Sequence, residues 1–165
     1  MGWDQIMLVV LPVALGLLLL SAGIEDVRIR EIADWKNAAI ALLAPAWWWA
    51  TGLEPWPDIA VQMGVAAGVF GLFMAVFAMG AMGGGDVKMI GALALWFPVA
   101  VLSRLLVTMS LVGGAITVAF LVERRWARWR RGGDGREIEV PYGVAIAVAG
   151  LLALGEPVLN QMAGS

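Results

Sequence analysis

Long apolar runs separated by short polar segments set the organisation of this chain. Residues 6–23, 38–52, 59–81, 87–102, 105–122 and 144–154 are the predominantly apolar stretches. Several approach the ~20 residues that carry a helix across the hydrocarbon core of a bilayer. A membrane β-barrel would show short alternating segments, and these runs are continuous. The pattern predicts an all-α polytopic membrane protein with six transmembrane helices, forming one domain over residues 1–165. The second run is short and holds Pro45, so it borrows length from Trp35 and Lys36, whose side chains reach the interface. The third holds Gly64, Gly68 and Gly71, a spacing that suits close helix packing.

Composition agrees. Of 165 residues, 61% are hydrophobic, and the mean hydropathy is +0.85. The net charge of −2 matters less than where the charges fall. Six spans leave the segments 24–37, 82–88 and 123–140 on one side. Those segments hold every one of the eleven basic residues except Arg104. The positive-inside rule makes that side cytoplasmic and puts both termini on the other. Residues 1–5 hold no Lys or Arg, so the first run reads as a retained helix rather than a secretory signal. Trp47, Trp48, Trp49 and Trp56 suit either an interfacial belt on the far side or packing between helices. The basic, tryptophan-containing run 124–131 reads as an anchor on anionic lipid headgroups in preference to a nucleic-acid site.

The chain has no cysteine and no histidine. Disulfides, thiolate nucleophiles, Ser-His triads and the usual zinc sites are therefore excluded. Acid–base chemistry falls to Asp, Glu, Lys, Tyr or water. Two carboxylates stand out. Asp26 closes the first span and Asp86 opens the fourth, after Gly83-Gly84-Gly85. Ionisable groups near membrane depth are costly and mark functional positions by default. Taken alone, Asp86 reads as a helix N-cap, with Lys88 as a partner, and Asp26 as a partner of Arg28, Arg30 or Lys36. Taken together, the two lie at the same cytoplasmic edge. Glu25, Glu31 and Asp34 are rival members of such a pair. The three glycines predict an irregular opening to the helix, with close backbone approach and free access to positive φ. Two aspartates brought together cannot both ionise cheaply, so one keeps a proton. That supplies a base for water and an acid for a peptide carbonyl, the chemistry of aspartyl proteolysis.

The segment Gly83-Gly84-Gly85-Asp86-Val87-Lys88-Met89 resembles the GxGD motif of the type IV prepilin peptidases. The likeness is strongest to the small peptidase-only members that serve tight-adherence (Flp-type) pili. It continues in Asp26-Val27-Arg28-Ile29-Arg30-Glu31-Ile32, where those proteins place an Asp, basic residues and Ile-Pro-Asn, and in Pro141-Tyr142-Gly143 ahead of the last helix. Ala33-Asp34 stands in place of the family's Pro-Asn. The resemblance implies that Asp26 and Asp86 are catalytic, and that Gly83, Gly84 and Gly85 form the active-site turn. It implies no metal and no cofactor. It implies that Pro141-Tyr142-Gly143 borders the active-site region, without a chemical role, and it assigns none to Lys88. The implied substrate is a prepilin, with a basic leader, a glycine before the cut and an apolar helix after it. The implied location is the bacterial inner membrane. Larger relatives also methylate the new N-terminus through a cysteine-bearing domain between the first two spans. Only residues 25–37 lie there in this chain, so cleavage without methylation is expected.

Two other classes fit the residues. A small transporter subunit would use the carboxylates to carry a proton or cation, and would show ion flux in vesicles. A non-catalytic scaffold of a secretion machine would tolerate loss of both aspartates. An archaeal preflagellin peptidase is the rival within the protease class, and the Pro-Tyr-Gly segment favours the pilin type.

Overall fold

The computed structural model describes residues 2–131 and 142–163, all helices and turns with no strand among them. Pro141 and Arg136 lie outside this set, as do the side chains of Arg124, Arg128, Arg130 and Arg131, so most of the basic run is not described at the level of contacts. The helices are α1 (Trp3–Ile29), α2 (Asp34–Ala50), α3 (Ala60–Ala78), α4 (Gly84–Ala94), α5 (Val99–Arg131) and α6 (Tyr142–Ala163). Three segments, Gln5–Ile29, Pro55–Ala78 and Val99–Glu123, are long and apolar enough to cross a membrane.

Two helices end where polarity alone does not place them. α1 continues past the apolar run and carries Glu25 and Asp26 in its last two turns. It stops at Arg30, whose φ of 56° reverses the chain and whose N–H donates to the Asp26 carbonyl at 3.0 Å. The expected fourth span, residues 87–102, is broken. α4 starts at Gly84 and stops at Ala94, about 16 Å of helix at 1.5 Å per residue. Pro98 cannot donate, and it biases Phe97 away from helical geometry. The carbonyls freed at this end are taken by other elements. The buried Gln62 amide donates to Ala94 and Phe97 at 2.7 Å each, and the Trp48 indole donates to Leu95 at 2.7 Å. Such partners are what a buried helix end requires. α5 then starts at Val99, inside the expected fourth span, and includes Arg104.

Packing is built on close approach, as expected where lipid removes much of the hydrophobic drive between helices. α1 and α6 run antiparallel. Gly16 faces Leu151 and Leu154, Leu19 lies over Gly150, and Gly23 meets Ala147. α3 and α4 are antiparallel too, with the Phe70 ring lying on Gly91 and Phe77 against Gly84. α2 and α4 run parallel. Asn37 Nδ2 donates to the Gly85 carbonyl at one end, while the Trp48–Leu95 bond joins them at the other. The core between them is Leu15, Leu19, Ile40, Ile90, Leu93 and Ile146.

The glycine face of α3 is not used in this packing. Side chains placed at Gly64, Gly68 or Gly71 would meet open space. The tryptophans divide. Trp47 stacks on Trp96 with centroids 5.7 Å apart, and Trp48 is buried. Trp49 and Trp56 are exposed, as an interfacial belt requires.

Candidate active site

The C-terminus of α1 and the N-termini of α2, α4 and α6 meet at one end of the bundle. A cavity of about 510 Å³ opens there. Asp26, Asp86 and all three glycines line it, with Glu25, Arg30, Glu31, Ile32 and Asp34. Asp26 is 5% exposed and Asp86 9%, so both carboxylates are withdrawn from the surface.

Asp26 is held from the far end of the chain. The Val144 N–H, in the first turn of α6, donates to Asp26 Oδ2 at 3.1 Å. Gly143 is what permits this. A Cβ there would stand 2.7 Å from Asp26 Cγ, 2.8 Å from Oδ2 and 2.8 Å from Ile32 Cδ1. Real Cβ atoms essentially never come so close, so a side chain at this position would force the Asp26 carboxylate or the Ile32 side chain to shift. Gly143, in a segment expected only to border the site, thus supplies a seat for one carboxylate. Tyr142 does not join the cavity. Its ring lies against Gly113 of α5.

Asp86 is not the N-cap of α4. Gly83 takes that position with φ −72°, and Asp86 sits three residues on. Its carboxylate folds back over Gly83, where a Cβ would be 3.1 Å from Oδ2. The glycines here do not exploit positive φ, which among the described glycines occurs at Gly52 and Gly80. They serve close approach. Gly85 lets α4 press onto Ile32, whose Cβ would be 3.3 Å from an added methyl. Ile32 is therefore wedged between the first turns of α4 and α6.

The two lysines that might have claimed the aspartates pair elsewhere. Lys36, 5% exposed, binds Glu25 at 2.8 Å and donates to the Ser21 carbonyl at 3.1 Å. Glu25 Oε2 also accepts from the Ala33 N–H at 3.2 Å, which fixes the turn between α1 and α2. Lys88 binds Asp34 at 2.7 Å on the surface. Glu25 and Asp34 are thus committed to lysines, and Arg30 lines the cavity beside Asp26. No cluster of three or more metal-ligating side chains occurs among the described residues.

A bundle of long apolar helices with two recessed carboxylates at one end is a membrane-type protein with a site suited to proton transfer. The model of the type IV leader peptidase family matches residues 13–118, and the chain belongs to that family. The match includes Asp26 and Asp86 and ends before Gly143. No curated protein and no solved structure matches the chain. By family, its function is of the leader-peptidase type.

Proposed function

We propose that this protein is an aspartyl endopeptidase of the bacterial inner membrane that removes the leader from Flp-type prepilins and does not methylate the product. The observation that carries this is the shared cavity of Asp26 and Asp86, reached from helices sixty residues apart in sequence. One carboxylate takes a proton from water as the water oxygen bonds to the scissile carbonyl carbon. The other, protonated, hydrogen-bonds to the carbonyl oxygen. Breakdown of the tetrahedral intermediate cleaves the C–N bond and passes a proton to the leaving amine. Gly83, Gly84 and Gly85 leave room beside Asp86 for a substrate strand.

The topology proposed is six spans with both termini outside the cytoplasm. It is supported by the antiparallel α1–α6 and α3–α4 pairs, the parallel α2–α4 pair, and the basic residues Arg28, Arg30, Lys36 and Lys88 at the site end. Lack of methylation is supported by the α1–α2 connection, which runs only from Arg30 to Ala33.

The test is leader removal in membranes. Asp26→Asn and Asp86→Asn should each abolish processing of a co-expressed Flp-type prepilin while the protein still accumulates. Full processing by either variant rejects the catalytic pair. Ion flux in vesicles without processing would instead select the transporter class.

A further inference from the structure

A hollow of about 730 Å³ lies at the end of the bundle away from the two aspartates. Its walls come from the first half of α1, the end of α2, Gln62 of α3, the turn between α4 and α5, and Leu154 of α6. Helix lengths explain it. α1, α5 and α6 meet close to one level, where Gly143 lies on Asp26 and the Tyr142 ring lies on Gly113. From that level α1 runs back about 32 Å to Gln5, α5 only about 21 Å to Val99, and α4 ends after about 16 Å. Beyond the ends of α4 and α5, the faces of α1 and α2 turned towards them have no helix to pack on.

The hollow opens into lipid. Leu8, Val9 and Val13 line it and are also exposed on α1, a segment long and apolar enough to cross a membrane. It is not built for water. No charged residue lines it, and its polar side chains are mostly spent on the chain itself. The Trp48 indole donates to Leu95, the Trp96 indole to Ile40, the Gln62 amide to Ala94 and Phe97, and the Thr51 hydroxyl to Trp47 and Trp48. A buried water needs about two to four polar partners, and apolar cavities stay dry. Left empty, a space of this size forfeits the contacts of its lining. A protein helix, about 10 Å across, would exceed its volume within two turns. A single hydrocarbon chain, narrow and jointed at every bond, fits.

We propose that this hollow binds one acyl chain of a bilayer phospholipid, which enters past Leu8, Val9 and Val13 and lies against Trp96, Phe97 and Leu154. The acyl chain stands in for the part of the fourth span that α4 does not complete. The inference needs α1 and α2 to lie in a bilayer, and it does not rest on the peptidase reading.

The test uses the full-length protein in vesicles of phosphatidylethanolamine and phosphatidylglycerol, with a fraction of the phosphatidylethanolamine carrying a diazirine at the end of one acyl chain. Adducts formed on illumination are mapped by peptide mass spectrometry. Residues 95–97, which include the buried Trp96 and Phe97, should be labelled. Val13→Trp, which closes the mouth from an exposed position, should lose most of that label while the label at the exposed Val118 persists. Leu8→Trp closes the same mouth should Val13→Trp fail to accumulate. Leu17→Trp, exposed on α1 but outside the lining, should leave the label unchanged. Added phospholipid should raise the unfolding midpoint of the parent in detergent more than that of the closed variant. Label confined to exposed positions such as Leu17 and Val118 would overturn the acyl-chain site. Equal label at 95–97 in the parent and the closed variant would do the same. So would label at 95–97 that appears only when the protein is diluted in lipid, since a second copy then holds the hollow.

Discussion

Gly143 sits so close to Asp26 that the carboxylate occupies the space a side chain would need. The two residues belong to the last and first helices of the chain, and the Val144 N–H completes the contact. Gly143→Ala must therefore push the carboxylate aside or lever α6 off α1. Displacing a reacting group by about 1 Å costs on the order of 10²-fold in rate. We expect leader processing to fall by about that factor with membrane levels preserved, measured by gel shift of the pilin and immunoblot of the protein.

The two lysine–carboxylate pairs near the site should differ in weight. Lys88–Asp34 is exposed, and exposed pairs contribute about 0–1 kcal/mol. Lys88→Met should leave thermal stability in detergent almost unchanged. Lys36 is buried, and its loss strands Glu25 at the turn that carries Ile32. Lys36→Met should lower the unfolding midpoint clearly and lower processing with it. An equal response from the two variants would contradict the different roles given to them.

Gln62 tests why α4 is short. It donates to two carbonyls at the end of that helix. Gln62→Leu keeps the bulk and leaves both acceptors without this donor, at about 1–3 kcal/mol for each buried group. The variant should be destabilised in chemical unfolding while Asp26 and Asp86, at the opposite end, keep their cavity. Residual activity measured below the unfolding midpoint should stay near that of the parent.

Ile32 tests how the turn is shared. Truncation to Ala removes the wedge between α4 and α6 and opens a void, a change that typically costs 2–5 kcal/mol in a packed core. Ile32→Val, which keeps the β-branch, should cost about 0.5–1.5 kcal/mol and retain most processing.

Much of this architecture was legible as a string of apolar runs, because helix length and hydropathy are local properties. Helix ends were less so. Glu25 and Asp26 looked like loop residues by polarity, yet α1 runs through them, since Lys36 and the first turn of α6 receive the two carboxylates. The stop after Ala94 was half visible in Pro98. Its other half, Gln62 and Trp48, comes from remote elements that no local pattern links to it. Asp26 and Asp86 could be singled out because the glycine run flags one of them and the resemblance to the prepilin-peptidase motifs pairs it with the other. Glu25, Glu31 and Asp34 share the same edge, and spacing could not rank them. The seat of Asp26 at Gly143 could not be foreseen. A glycine at the head of a helix is ordinary, and only the tertiary meeting of α1 and α6 gives it a task. The glycines of α3 misled in the other direction, since their spacing suggested a contact and the contact went to Gly91.

The parallel pair α2 and α4 is fastened at both ends, by the Asn37–Gly85 and Trp48–Leu95 bonds. Sliding one past the other by a helical turn, about 5.4 Å, would sever both fasteners at once. Asp86 is thereby fixed in height relative to α2. On the peptidase reading proposed above, a segment threading in must adjust its own height to meet Asp86, which would make the fastened pair a ruler for where along that segment the cut falls.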